Sequence, residues 1–150
     1  MSWQVIWRGE RPSCLDENGK RIGPDVIGDA WWSQSQKDWD EYYNEAKKSW
    51  IYSKQFVAKY EAGDKRRPIM IQFPPYSFCI DAPWYNSDLP NGGNPEHDGW
   101  TVLITGPMIV GQPLNVTLAP SVGLGKGMKD YHGFLTNGII SDDLSGKKYN

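Results

Sequence analysis

The dipeptide Asn137-Gly138, set between two runs of alternating residues, constrains the fold more than any other feature of this sequence. A two-residue turn of this kind needs positive φ at both positions, which asparagine and glycine tolerate, and it dictates how the flanking strands pair. The sequence therefore predicts a β-hairpin over residues 131–144. In that register Leu135 pairs with Ile140, and His132 lies directly across from Asp143.

The alternation in this hairpin separates a core face from an outward face. The core face is predicted to hold Tyr131, Leu135, Ile140 and Leu144, and the outward face His132, Phe134, Ile139 and Asp143. On the outward face an imidazole and a carboxylate would have their Cβ atoms about 5 Å apart. Because an oriented imidazole is one ingredient of acid–base catalysis, His132 and Asp143 are the candidate catalytic residues. A surface ion pair is the simpler alternative, and the sequence ties no Ser or Cys nucleophile to this pair.

Other segments predict further strands and one long helix. Alternation predicts strands at residues 3–8, 69–73, 77–81, 100–105 and 114–119, and Asn18-Gly19 predicts a second hairpin between Leu15 and Ile22. The helix is predicted over residues 34–62, where one apolar stripe consists of Trp39, Tyr43, Ala46, Trp50, Val57 and Tyr60. Such a helix would be about 40 Å long, so a break near residues 49–53 or a projecting end is also expected.

These elements predict an α+β fold, in which a small, mainly antiparallel sheet packs against one long aromatic-striped helix. Residues 1–150 are predicted to form a single domain, divided into a strand and hairpin (1–33), the helix (34–62) and a β-rich part (68–150). Residues 83–99 and the glycine-rich residues 120–129 are predicted loops.

Charge and cysteine content exclude several classes of protein. Charged residues make up 23% of the chain and the net charge is −2, which excludes a sequence-independent nucleic-acid coat and a highly charged disordered tail. No run of about 18 apolar residues is present, so no membrane-spanning segment is predicted. The N-terminus lacks the apolar core of a signal peptide. Cys14 and Cys79 are too few for a disulfide framework and are expected to be free thiols in a reducing compartment.

Three tryptophans and one lysine are candidate binding residues. Trp31 and Trp32 are adjacent and cannot both point inward, so at least one is exposed or is buried by another element. Together with Trp84 they are candidates for a protein interface, where Trp is enriched. Lys126 lies in a run, Gly123–Gly127, that resembles a phosphate-binding loop in composition but lacks its glycine spacing.

Nucleic acid and metal are weaker alternatives. Basic residues interleave with aromatic ones between residues 47 and 67, a pattern that can contact phosphates and stack on bases but that more often marks a solvated helix face. His97-Asp98 could approach the hairpin. However, His97 and His132 show no ligand spacing typical of metal sites, so neither a metal nor a cofactor is predicted.

The C-terminal part carries a pattern made of a tryptophan-containing strand, a strand ending in Ala-Pro-Ser, and an aromatic-histidine hairpin with an Asn-Gly turn. The matching residues are Trp100, Ala119-Pro120-Ser121, Tyr131-His132-Gly133-Phe134, Asn137-Gly138 and Asp142-Asp143. In this pattern the chain resembles a group of small, mostly phage-encoded proteins of unknown function, many of which carry the label "ammonia monooxygenase". Nothing in this sequence provides a chemical basis for that label. The resemblance implies phage origin and an accessory role, and this chain lacks the zinc-suited cysteines of some members.

Together, the residues and the resemblance predict a non-enzymatic phage accessory protein that binds and blocks a host factor, such as a component of host defence. A virion structural or decoration subunit is the alternative. A small hydrolase or nucleotide-binding protein that uses His132, Asp143 and the loop around Lys126 is the second alternative. The predicted partner is a host or phage protein, with nucleic acid or a second copy of this chain as further options and with no membrane. The expected location is the cytoplasm of an infected bacterial host, or the virion.

Overall fold

A computed structural model describes residues 1–11, 14–15, 17–18, 21–22, 26–48, 54–80 and 101–149. This part of the chain contains two helices, α1 (Gln36–Ala46) and α2 (Lys54–Glu61), and a single 3-10 turn at Lys126–Met128. Its strands are β1 (Trp3–Gln4), β2 (Ile6–Gly9), β3 (Cys14–Leu15), β4 (Arg21–Ile22), β5 (Asp29–Trp32), β6 (Ile69–Gln72), β7 (Ser77–Cys79), β8 (Thr101–Thr105), β9 (Asn115–Leu124), β10 (Tyr131–Thr136) and β11 (Ile139–Ile140).

The strands form two larger sheets and one small hairpin. The first sheet has five antiparallel strands in the order β1-β11-β10-β9-β8. The second has four strands in the order β2-β5-β6-β7, in which β2 and β5 are parallel and the other pairs antiparallel. The α+β class and the mainly antiparallel pairing are therefore confirmed. The prediction of one small sheet is wrong, because the strands divide between two.

The main hydrophobic core lies between these two sheets. Its fully buried members come from both: Ile69 and Ile71 lie in β6, Phe73 directly follows β6, and Val116 and Tyr131 lie in the first sheet. The rings of Phe73 and Tyr131 meet across the interface with centroids 6.5 Å apart. Each large apolar side chain removed from water in this way contributes about 1.5–3 kcal/mol, so the packing of one sheet on the other is the main source of stability.

The N-terminal segment belongs to both sheets. The sequence predicts one strand over residues 3–8, but the chain passes from the first sheet to the second at Val5, which is fully buried. The Val5 N–H donates to the carbonyl of Gly138 at 2.7 Å, and the Val5 carbonyl accepts from the Leu114 N–H at 2.9 Å. Val5 and Trp7 are buried whereas Gln4 and Arg8 are exposed, which agrees with the alternation of this segment.

The predicted helix over residues 34–62 is wrong as one long element. α1 begins after Ser35, whose hydroxyl accepts from the Asp38 N–H at 3.1 Å, and it ends at Ala46. α2 spans Lys54–Glu61, and residues 49–53, where the sequence favours a break, lie outside the described part. Two short helices can fold against each other, whereas a single rod would project from so small a protein.

Aromatic side chains hold the two helices together. The rings of Tyr43 and Tyr60 stack with centroids 4.0 Å apart. The Tyr60 hydroxyl donates to Asp40, and this hydrogen bond raises the pKa of Tyr60 to about 12 and lowers the pKa of Asp40. Four buried apolar side chains of the described part lie outside the main core, namely Trp31, Trp39, Ala46 and Tyr60. Their burial shows that apolar packing in the described part extends beyond the main core.

The structure also differs from two predictions about the connections between strands, one for the loop at residues 120–129 and one for the first hairpin. β9 continues to Leu124 and pairs with β10, so the predicted loop over residues 120–129 begins later than expected. The hairpin of β3 and β4 is confirmed, but Leu15 pairs with Arg21 rather than with Ile22, so its register differs by one residue from the predicted one. The predicted loop at residues 83–99 lies outside the described residues.

Neither described helix is long and apolar enough to cross a bilayer.

Candidate functional site

The hairpin around Asn137-Gly138 forms as predicted as far as Ile140. Leu135 pairs with Ile140 and Thr136 with Ile139, and both turn residues have positive φ, 49° at Asn137 and 79° at Gly138. Tyr131, Leu135 and Ile140 are fully buried, which confirms these three members of the predicted core face. The turn is not a free tip, because Gly138 is buried against β1 and β9.

The Ser141 N–H still donates to the Phe134 carbonyl at 2.9 Å, but beyond this bond the pairing changes and the predicted register of His132 with Asp143 is lost. The Phe134 N–H donates to the Ser141 hydroxyl at 2.8 Å instead of continuing the ladder to a carbonyl. The carbonyl of His132 then accepts from the Leu144 N–H at 2.7 Å, where the predicted register would use the N–H of Asp143. As a result Asp143 turns inward and is 6% exposed, whereas Leu144 turns outward and is 56% exposed. The predicted faces of these two residues are therefore wrong.

The carboxylate of Asp143 is surrounded by hydrogen-bond donors. One oxygen accepts from the backbone N–H of Ser145 at 2.7 Å and from the Ser145 hydroxyl. The other accepts from the Tyr149 hydroxyl at 2.8 Å and from the backbone N–H of His132 at 3.3 Å. Burial alone would raise the pKa of Asp143, but these donors together lower it to about 2. The group is therefore an ionised acceptor that fastens the C-terminal residues to β10.

His132 meets Asp143 through its backbone rather than through its imidazole. The side chain of His132 is half-buried on the outward face of β10, as predicted. Among the described hydrogen bonds of the Asp143 carboxylate, none comes from that imidazole. The two residues are brought together, but the oriented imidazole–carboxylate pair expected from the sequence does not form. A catalytic role for them stays a prediction, and the geometry supports a structural role for Asp143.

The paired tryptophans lie on opposite faces of β5, as their adjacency requires. Trp31 is 3% exposed, so in this conformation it presents no surface to a partner. Trp32 is half-buried, with its ring at 4.7 Å from Trp7 in an edge contact and the Arg67 guanidinium 4.8 Å above it. Trp31 is therefore the buried member of the pair, and Trp32 is partly covered by Trp7 and Arg67, so the structure realises the buried alternative for Trp31. Trp84 lies outside the described residues.

Lys126 is exposed at the start of the 3-10 turn between β9 and β10. This turn closes on itself, since the Met128 N–H donates to the Gly125 carbonyl at 3.0 Å. The Asp130 carboxylate lies so close to Gly125 that an added Cβ would be 2.5 Å from one of its oxygens. A nearby anion and an internally bonded amide both disfavour phosphate binding, so the geometry supports a connecting turn.

The connection between β8 and β9 is a surface that the sequence reasoning missed. At its tip Ile109 is 53% and Val110 is 67% exposed, an adjacent apolar pair in water. Two backbone hydrogen bonds join this connection to Trp7 in β2, from Gly111 N–H to the Trp7 carbonyl at 2.7 Å and from Trp7 N–H to the Gln112 carbonyl at 2.9 Å. We call Ile109 and Val110 the apolar tip. Because its backbone is attached to a sheet, the tip is held in one position.

A shallow cavity of about 610 Å³ adjoins the apolar tip. The amide and hydroxyl side chains in its wall are those of Thr105, Gln112 and Asn115, and its apolar wall is made by Pro107, Ile109 and Pro113. No charged side chain lines it. Such a wall suits an uncharged group that combines apolar surface with hydrogen-bonding atoms.

A simple sequence signal marks this region. Residues 99–125 contain no Asp, Glu, Lys, Arg or His, in a chain of which 23% is charged. The centres of protein interfaces are depleted of charge, and so are buried strands. The absence of charge therefore indicates a contact surface only where the residues are also exposed, as they are at the apolar tip.

Within the described residues no group of three or more His, Cys, Asp or Glu side chains is placed to hold a metal ion. Comparison with protein-family models, curated proteins and solved structures finds no match to this chain.

Proposed function

We propose that this chain is a non-enzymatic phage accessory protein that acts by binding, and thereby blocking, a protein of the bacterial host, and that the apolar tip is its main contact. The observation that carries the proposal is the exposure of Ile109 and Val110 on a backbone already fastened to β2. Exposed apolar residues lower the solubility of a free protein, and they gain free energy only when a partner covers them.

The rigidity of the tip supports a role in binding. Association costs free energy when loops must become ordered at an interface. The hydrogen bonds between Trp7 and residues 111–112, together with a further bond from Gln112 N–H to the Ile109 carbonyl at 3.0 Å, order this loop in the free protein. A partner would therefore meet the tip without that cost, as interface anchors that carry most of the binding energy do.

The role of Asp143 also supports a function without catalysis. Its carboxylate accepts hydrogen bonds from Ser145, Tyr149 and the backbone of His132, and its low pKa keeps it ionised. A carboxylate that is occupied in this way serves the structure better than it serves as a general base. The family resemblance at residues 100–144 adds the phage origin and the accessory role to this proposal.

The test compares two valine variants with the same change in charge. We expect Val110→Lys to weaken capture of the host partner by about tenfold or more, because a buried lysine in the interface centre is costly. The control is Val26→Lys, since Val26 is 59% exposed elsewhere on the surface and its change should leave capture unaltered. The measurement is affinity capture from bacterial host lysate, followed by titration of the captured protein against all three purified forms.

Two results would contradict the proposal. One is equal capture by the wild type, Val110→Lys and Val26→Lys, which would remove the tip from the interface. The other is recovery of the chain as a regular component of purified phage particles by mass spectrometry, which would favour the virion subunit instead.

A further inference from the structure

We propose that two copies of this chain associate through β8, with the two strands antiparallel and a two-fold axis at Leu103, so that the two five-stranded sheets join into one. The proposal concerns the edge of the first sheet rather than the apolar tip, and it does not depend on the proposed function. Strand β8 ends the order β1-β11-β10-β9-β8, and among the described strands only β9 pairs with it. Within the described part of the chain, its other edge therefore presents backbone N–H and C=O groups that another strand can pair with.

The sequence of β8 has the symmetry that such pairing needs. Around Leu103 the strand reads Thr-Val-Leu-Ile-Thr, with a β-branched apolar residue and then a threonine on each side. In an antiparallel pair centred on Leu103, each Thr101 faces Thr105 of the second copy, and each Val102 faces Ile104. Threonine pairs and β-branched pairs across strands are both favourable, so every cross-strand contact would join like with like.

Pairing of two β8 strands would bury apolar side chains that are exposed or partly exposed in one copy. Leu103 is 58% exposed on the outward face, where the two-fold axis would place it against its own copy. Val102 and Ile104 point toward the core between the sheets but are only partly buried. A neighbouring strand would cover these three apolar side chains further.

β8 also lacks the features that protect edge strands. It contains no charge and no proline, and it pairs with β9 from Thr101 to Thr105 without a bulge. The edges of the second sheet are less open to pairing. Residues 111–112 form hydrogen bonds to Trp7 in the edge strand β2, and the other edge strand, β7, has only three residues. Natural proteins add lysine, proline or bulges where an edge must stay unpaired, so an unprotected five-residue edge favours use of that edge.

The test is sedimentation velocity and light scattering over a range of concentrations, up to about 1 mM, where weak specific contacts are still measurable. We expect the mass of the wild type to rise from 17.0 kDa toward twice that value. Leu103→Lys and Leu103→Asp should each weaken self-association by roughly tenfold or more, because two like charges would lie directly opposite each other at the axis. An equimolar mixture of the two variants should regain the association, since opposite charges then face each other.

Ile139→Lys is the matched control. Ile139 is an outward apolar residue of the same sheet, 38% exposed on β11, and two strands separate it from β8. This variant should associate as the wild type does, and circular dichroism should confirm that all variants are folded. A wild-type mass that stays at 17.0 kDa throughout would overturn the proposal. So would Leu103 variants that associate like the wild type, or a mixture of the Lys and Asp variants that stays monomeric.

Discussion

Replacing Gly138 by alanine is expected to lower the free energy of unfolding by about 3 kcal/mol or more. Gly138 has φ +79°, which costs an L-residue about 1–2 kcal/mol. An added Cβ would also lie 2.4 Å from the backbone carbonyl oxygen of Leu114, closer than such atoms can approach. Relief would require the turn to move away from β9 and from the N-terminal segment, to which it is hydrogen-bonded through Val116 at 2.8 Å and Val5 at 2.7 Å.

Gly146→Ala separates the two causes of this loss. Gly146 has a similar φ of +85°, but an added Cβ would meet nothing within 4 Å. It should therefore lose only the conformational part, about 1–2 kcal/mol. Urea unfolding of both variants and the wild type measures the difference. Equal losses at the two positions would show that the packing of the turn against Leu114 does not matter.

Asp143→Ala should lower the free energy of unfolding by about 2–4 kcal/mol, because it removes one acceptor from several donors at once. The N–H of His132 would lose the Asp143 carboxylate, and the hydroxyl of Tyr149 would keep only the Asp130 carbonyl as an acceptor. Tyr149 lies with its ring 6.1 Å from buried Tyr131, so residues 144–149 should also become more accessible to protease and to amide exchange. The neighbouring Asp142 is the control, since its side chain is 56% exposed and pairs only with the N-terminal amine in the described contacts. Asp142→Ala should change stability by less than about 0.5 kcal/mol.

The contribution of Asp143 also carries a defined dependence on pH. The pKa of this carboxyl falls from the usual 3.8 to about 2 in the folded state, so the folded protein binds this proton less tightly than the unfolded chain does. The contribution is therefore complete well above pH 3.8 and is lost as the pH falls from there toward 2. The stability difference between the wild type and Asp143→Asn should narrow over that interval. A difference that stays constant down to pH 2 would mean that the carboxylate is not held by these donors.

At the candidate site, local sequence patterns predict the turn and the first strand pairs but not the position of Asp143. The turn at Asn137-Gly138 and the pairing of Leu135 with Ile140 follow from neighbouring residues, and both are confirmed. The expected partnership of His132 with Asp143 needs the same register to continue past Ser141, and it does not. The Ser141 hydroxyl replaces a backbone acceptor there, and Tyr131 donates to the Ser141 carbonyl at 2.7 Å. The alternation of apolar and polar residues does not indicate where a serine hydroxyl will accept a hydrogen bond in place of a backbone carbonyl.

The exposure of the apolar tip depends on a contact between residues that are far apart in the sequence. The absence of charge over residues 99–125 is visible in the sequence, but a buried strand and an exposed contact surface share that feature. Exposure of Ile109 and Val110 follows only from the attachment of their loop to Trp7, which lies about a hundred residues earlier in the chain. In the same way, the burial of Trp31 depends on elements beyond its own strand.

The sequence by itself determined the elements whose cause is local: the positive-φ turn at Asn137-Gly138, the pairing of Leu135 with Ile140, and the inward alternation of β10. Only the tertiary structure decided that the strands divide between two sheets at Val5, that α1 already ends at Ala46, and that Asp143 turns inward to Tyr149. Local choices depend on side-chain shape and backbone sterics within a few residues, whereas these outcomes depend on which distant surfaces can be buried together. That is why the sequence predicts where strands lie, while packing decides which side chains remain exposed for a partner.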